Sequence, residues 1–133
     1  MRTRPFVLEV GVQIGMLING KTMAMDRVDE VVTLGDTEIW EITNFSGIAH
    51  PFHIHDGPFL ILRRDGVPPS PCEAGWKDVV VVNPDEVMRV IKQFVDYADS
   101  ETPYMYHCHL LEHEDAGMMG QFTVVEHVQP TID

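Results

Sequence analysis

A chain of 133 residues is long enough for one domain with a hydrophobic core, and 44% hydrophobic with 23% charged residues is the balance of an ordinary globular protein. The net charge of −12, from 9 basic against 21 acidic residues, leaves no basic patch to grip phosphates and argues against a nucleic-acid partner. No apolar run approaches the roughly 20 residues of a membrane-spanning helix, so no membrane partner is expected.

The N-terminus, Met1-Arg2-Thr3-Arg4-Pro5, is basic, but Glu9, Gly11, Gln13 and Gly15 interrupt the apolar stretch after it. With no small-residue cleavage site, no signal peptide is read. Residues 6–18 form an apolar, β-rich run that stops at the turn signal Asn19-Gly20. Residues 30–34 and 37–43 read as strands on either side of Gly35-Asp36, and residues 59–63 as a strand ended by Asp65-Gly66. A Pro-rich loop follows, Val67-Pro68-Pro69-Ser70-Pro71-Cys72. Residues 77–82 carry four consecutive valines, the mark of a strand buried on both faces. That strand stops at Asn83-Pro84, and residues 87–95, 104–108 and 121–126 make the last three. Between the final pair, residues 110–116 have helix-forming character and end at Gly117, which predicts a short helix after Cys108. Short strands with turn chemistry between them predict one all-β domain over residues 1–133, a sandwich or Greek-key barrel.

The chemistry is concentrated in two places. Of seven histidines, six lie in His50-Pro51-Phe52-His53-Ile54-His55 and in His107-Cys108-His109-Leu110-Leu111-Glu112-His113, the latter followed by Met118. Imidazole, thiolate and thioether together suit copper. Side chains alternate along a strand, so His107 and His109 point to one face and Cys108 to the other. The same rule puts His53 and His55 on a common face, while His50 is left to face elsewhere. Cys108, His113 and Met118 follow a Cys-x4-His-x4-Met spacing, and His50 completes a set of two His, one Cys and a weak axial Met. Zinc is the competing metal, but structural zinc favours paired Cys or His motifs, and here one cysteine stands among too many histidines. A Cys72–Cys108 disulfide is the competing use of the sulfur. His127 stands alone and reads as a solvated tail residue.

These motifs resemble the third and fourth copper-binding motifs of multicopper oxidases, the family of laccases, bilirubin oxidases and bacterial cuprous oxidases. Residues 18–21, 34–38 and 76–78 also look like that family's last domain, so the similarity runs from near the start of the chain to Glu126. The resemblance implies a cupredoxin-like fold with copper as cofactor. It implies that His50, Cys108, His113 and Met118 bind a type 1 copper, His53 a type 2 copper, and His55, His107 and His109 the type 3 pair. A small reducing substrate would be oxidised and dioxygen reduced to water, with Glu114 or Asp115 relaying protons unless both belong to a solvated loop. Complete members carry two further His-x-His motifs in an N-terminal domain, and this chain has none. Asp56 also stands where glycine is usual. The chain is therefore expected to be the C-terminal domain of a larger oxidase, inactive alone and partnered by N-terminal cupredoxin domains. A homo-oligomer joined through an exposed histidine face is a further expectation, and the compartment implied by the resemblance is periplasmic or extracellular. The alternatives from other classes are a single-domain blue-copper electron carrier and a non-catalytic copper-binding module. A carrier would have no use for His53, His55, His107 and His109.

Overall fold

The computed structural model describes residues 2–11, 15–21, 27–55, 57–95, 98–108 and 118–126. Its strands are β1 (Arg2–Gly11), β2 (Gly15–Ile18), β3 (Glu30–Thr33), β4 (Thr37–Asn44), β5 (His50–Ile54), β6 (Leu60–Arg64), β7 (Val79–Val82), β8 (Val87–Gln93), β9 (Asp99–Cys108) and β10 (Met119–Val125), with a 3-10 turn at Pro71–Glu73. They form two five-stranded sheets, in the orders β2-β1-β4-β8-β6 and β3-β10-β9-β5-β7. Most neighbours are antiparallel, but β1 runs parallel to β4 and β3 parallel to β10. Those crossovers between chain-distant strands make the Greek-key sandwich that the strand spacing predicted. The helix predicted over residues 110–116 lies outside the described residues.

Alternation decides what enters the core. Along β4 every second residue is buried, so Trp40 and Ile42 point inward while Ile39 and Glu41 do not. Phe6, Trp40 and Phe94 from one sheet meet Phe52, Tyr106 and Phe122 from the other. Across the two sheets the rings pack edge-on or tilted, with Trp40 T-shaped against both Tyr106 and Phe122 at centroid distances of 5.7 and 5.6 Å. Each such buried ring contributes roughly 1.5–3 kcal/mol through the apolar surface it removes from water.

Two turn signals act as expected. Asn19 and Gly20 both have positive φ, as do Asp65 and Gly66. Each pair sits between residues that exchange two backbone hydrogen bonds, Ile18 with Lys21 and Arg64 with Val67. That is the two-residue turn whose twist matches a hairpin.

Three expectations need correction. The run over residues 6–18 is not one strand: it folds back as the β1–β2 hairpin, with Leu8 opposite Ile18 and Gly11 opposite Gly15. The valine run is not buried on both faces either. Among the described residues β7 is a sheet edge, paired with β5 alone. Its Val80 and Val82 face the core, and Val81 is 44% exposed. Strand β9 also starts earlier than residue 104: it begins at Asp99, which pairs with Val124, and the extra residues of the register shift lie in β9, between Asp99 and Tyr104.

Gly120 in β10 lies directly across from Tyr106 in β9. The Tyr106 ring lies so close over it that an added Cβ would meet the ring's Cζ and Oη at 2.2 Å. Burial pushes the Tyr106 phenol well above its ordinary pKa, so it stays protonated. Packed against Phe6, Trp40 and Phe52, the ring has no room to retreat. Gly120→Ala is therefore expected to destabilise the domain by about 3 kcal/mol, at the upper end of overpacking effects. Denaturant unfolding checks this, and Tyr106→Leu in the same chain should recover part of the loss. A Gly120→Ala midpoint unchanged from wild type would refute the close approach.

Candidate metal centre

Parity along β5 separates its histidines. His50, Phe52 and Ile54 are buried on the core side, while Pro51 and His53 take the other face. Register with β9 extends the division, since Phe52 lies opposite Cys108 and His53 opposite His107. One pair of strands thus carries two donor groups back to back.

On the core side, His50 and Cys108 are fully buried, and His50 Nδ1 lies 3.5 Å from Cys108 Sγ. Behind the ring, His50 Nε2 lies 2.7 Å from Ser46 Oγ. Met118 has its side chain buried, and its carbonyl accepts the Cys108 backbone N–H at 3.1 Å. This contact sets the start of β10 against the end of β9. His113, which the spacing adds to this group, lies outside the described residues.

On the outer side, His53, His55 and His107 each turn a ring nitrogen toward the others, all within 4.8 Å of one another. His55 Nε2 and His107 Nε2 are 3.0 Å apart. Backbone carbonyls hold two of these rings from behind. The Asp78 carbonyl lies 2.7 Å from His53 Nδ1, and the Cys108 carbonyl lies 3.1 Å from His107 Nδ1. A carbonyl can only accept, so each of these two Nδ1 atoms donates, which in the neutral ring leaves the lone pair on Nε2. The edge strand β7 explains the first contact, because His53 pairs with Val79 and so brings Asp78 to the ring.

A pocket of about 450 Å³ opens beside this triad, lined by His53, His55, Gly57, Pro58, Trp76 and Asp78 among others. The expected histidine face is only partly open. His53 and His55 are half-buried, and His107 is buried at 6% exposure. His109, Glu114, Asp115, Asp56 and His127 lie outside the described residues. Cys72 is exposed, unbonded to Cys108, and has Ser70 Oγ at 3.1 Å from its sulfur.

The residues behind the rings were not legible as site residues. Asn44, Ser46 and the Asp78 carbonyl hold the histidines without offering a metal donor of their own. The signal for the first two is an Asn-x-Ser at the end of a strand, four residues before His50, which is turn-forming chemistry placed against a ligand.

A sequence profile of the family described as "Multicopper oxidase" matches residues 3–128. The chain belongs to the multicopper oxidase family. It is 40% identical to a multicopper oxidase of Staphylococcus aureus over 120 residues, 87% of this chain and 26% of that protein. It is likewise 40% identical to a laccase of Haloferax volcanii over 128 residues, 92% of this chain and 22% of that one. A crystal structure of a multi-copper oxidase from Pediococcus acidilactici superimposes with a TM-score of 0.87 at 36% identity, covering 100% of this chain and 28% of that chain. The chain thus spans about a quarter of the length of these multicopper oxidases. Membership brings copper as cofactor, and the donors fit it: a buried thiol beside an imidazole, and three converging imidazoles on the opposite face.

Proposed function

We propose that this chain is the copper-bearing C-terminal domain of an oxidase that couples one-electron oxidation of a small reducing substrate to reduction of dioxygen to water. The observation that carries this reading is the back-to-back placement of the two donor groups on β5 and β9. A carrier that only shuttled single electrons would need the core-side group and not the outer triad. In this reading His50, Cys108, His113 and Met118 hold a type 1 copper, His53 a type 2 copper, and His55, His107 and His109 the type 3 pair.

Copper in these places would accept electrons singly and deliver them to dioxygen. The chain's own part is to set donors and path. Cys108 and His107 are adjacent in sequence, so the two groups are joined by about 3.3 Å of strand. The hydrogen bond from His107 Nδ1 to the Cys108 carbonyl adds a second link between the same two residues. Glu114 and Asp115, close in sequence to His113, are the proposed proton relay.

The outer triad is incomplete as a multi-metal centre, and its half-buried rings open on the 450 Å³ pocket. A facing polypeptide surface would supply the remaining imidazoles, either an N-terminal domain of the same protein or a second copy. Copper-loaded chain given a phenolic or cuprous donor is therefore expected to show no sustained oxygen uptake. Sustained uptake that disappears in His109→Ala would show that the chain needs no further ligands, against this reading.

Met118 is expected to tune the potential more than it retains the metal, because an axial thioether bond is long and weak. Met118→Leu should raise the reduction potential with copper content nearly unchanged, as read by redox titration and metal analysis. Loss of the copper would make Met118 a principal ligand instead.

A further inference from the structure

Asn44, the last residue of β4, is fully buried and its amide orientation is determined. Its Nδ2 donates to the Ile48 carbonyl at 2.8 Å and to the Val82 carbonyl at 3.0 Å. Oδ1 therefore points the other way, where it accepts the Ser46 backbone N–H at 2.9 Å and lies 2.6 Å from Ser46 Oγ. A second oxygen near Ser46 Oγ, the Ile48 carbonyl at 3.0 Å, is also an acceptor. The Ser46 hydroxyl has one hydrogen. An oxygen–oxygen contact of 2.6 Å with an amide oxygen requires that hydrogen between them. Ser46 Oγ then has only lone pairs for His50 Nε2 at 2.7 Å, so the ring must be the donor.

We propose that Asn44 and Ser46 act as a tautomer lock on His50: they place its proton on Nε2, so that the Nδ1 lone pair is presented on the side of Cys108 Sγ. The chain of donors runs from His50 Nε2–H to Ser46 Oγ and from Ser46 O–H to Asn44 Oδ1. Asn44 is in turn anchored to the Val82 carbonyl of β7, the residue paired with His50 itself. The imidazole is thus oriented before any metal arrives, and reversing its tautomer would set two acceptors against each other, at Ser46 and His50 or at Ser46 and Asn44. At His53 and His107 a backbone carbonyl stands behind the ring, which substitution cannot remove. At His50 the same job falls to a side chain, which makes Ser46 a positioning residue open to test. The value of the lock to copper rests on the functional reading above; the tautomer itself does not.

The test uses the 133-residue chain, labelled with nitrogen-15 and free of metal. Long-range proton–nitrogen correlation spectra assign the tautomer of each imidazole. Wild type should show His50 with a protonated Nε2 and a lone-pair Nδ1. Ser46→Ala should give a mixture or the opposite tautomer, and Ser46→Thr, which keeps the hydroxyl, should restore the single form. On loading with copper, Ser46→Ala should bind about 10-fold or more weakly than wild type, the usual effect of removing the group behind a ligating ring, and its electron paramagnetic resonance spectrum should shift. A protonated Nδ1 in wild type overturns the proposal, and so does Ser46→Ala with unchanged tautomer and copper affinity. The wild-type spectrum decides the tautomer even if the alanine variant does not fold. A wild type that shows the expected tautomer but stays colourless with copper would sink the copper assignment and leave the lock standing.

Discussion

Cys108→Ser is expected to abolish the blue colour of the copper-loaded chain, the largest single-residue effect anticipated here. Cys108 is fully buried, 3.5 Å from His50 Nδ1, on the core side of β9. The strong visible absorption of such a site comes from a copper–thiolate bond, which a serine oxygen does not reproduce. Cys72→Ser is the control, since Cys72 is exposed and remote in role, and its spectrum should match wild type. Visible absorption and electron paramagnetic resonance of the two variants check the pair. Retained colour in Cys108→Ser would remove the thiolate from the site.

The second large effect concerns the sandwich rather than the metal. Arg4 enters from β1 on the same inward face as Phe6 and Leu8, and is 3% exposed. Its Nε lies 2.8 Å from Glu38 Oε1, Nη1 lies 2.6 Å from Glu30 Oε2, and Nη2 donates to the Val31 carbonyl at 3.0 Å. Glu38 belongs to β4 and Glu30 to β3, so one guanidinium joins the two sheets. Burial works against its charge, but the hydrogen bonds and charges of Glu38 and Glu30 more than offset that and raise its pKa. Arg4→Ala leaves Glu38, itself 3% exposed, without its cation. Removing one partner of a buried pair typically costs about 3–5 kcal/mol. For a domain of this size that is a fall in melting temperature of roughly 10 °C or more. Arg4→Met combined with Glu38→Gln should recover much of the loss, because glutamine keeps an acceptor for Trp40 Nε1–H, now 3.0 Å from Glu38 Oε1. Stability of Arg4→Ala within 1 kcal/mol of wild type would mean that the cluster contributes little.

The sequence alone determined the all-β class, the two turns and which neighbouring residues face apart, because each depends on short-range chemistry. Alternation along a strand is a local rule, so His107 and Cys108 must face apart whatever surrounds them. Asn19-Gly20 and Asp65-Gly66 favour positive φ by themselves. Tertiary structure alone decided which strand lies beside which. Pairing β5 with β9 joins residues more than fifty positions apart, and only that register turns two separate motifs into His50 beside Cys108 and His53 beside His107. It also decided that the valine run is an edge, since nothing in four valines tells how many neighbours a strand will have. The groups behind the rings were hidden for the same reason. A serine hydroxyl or a backbone carbonyl becomes part of a site only when folding sets it against an imidazole, and no residue type announces that in advance.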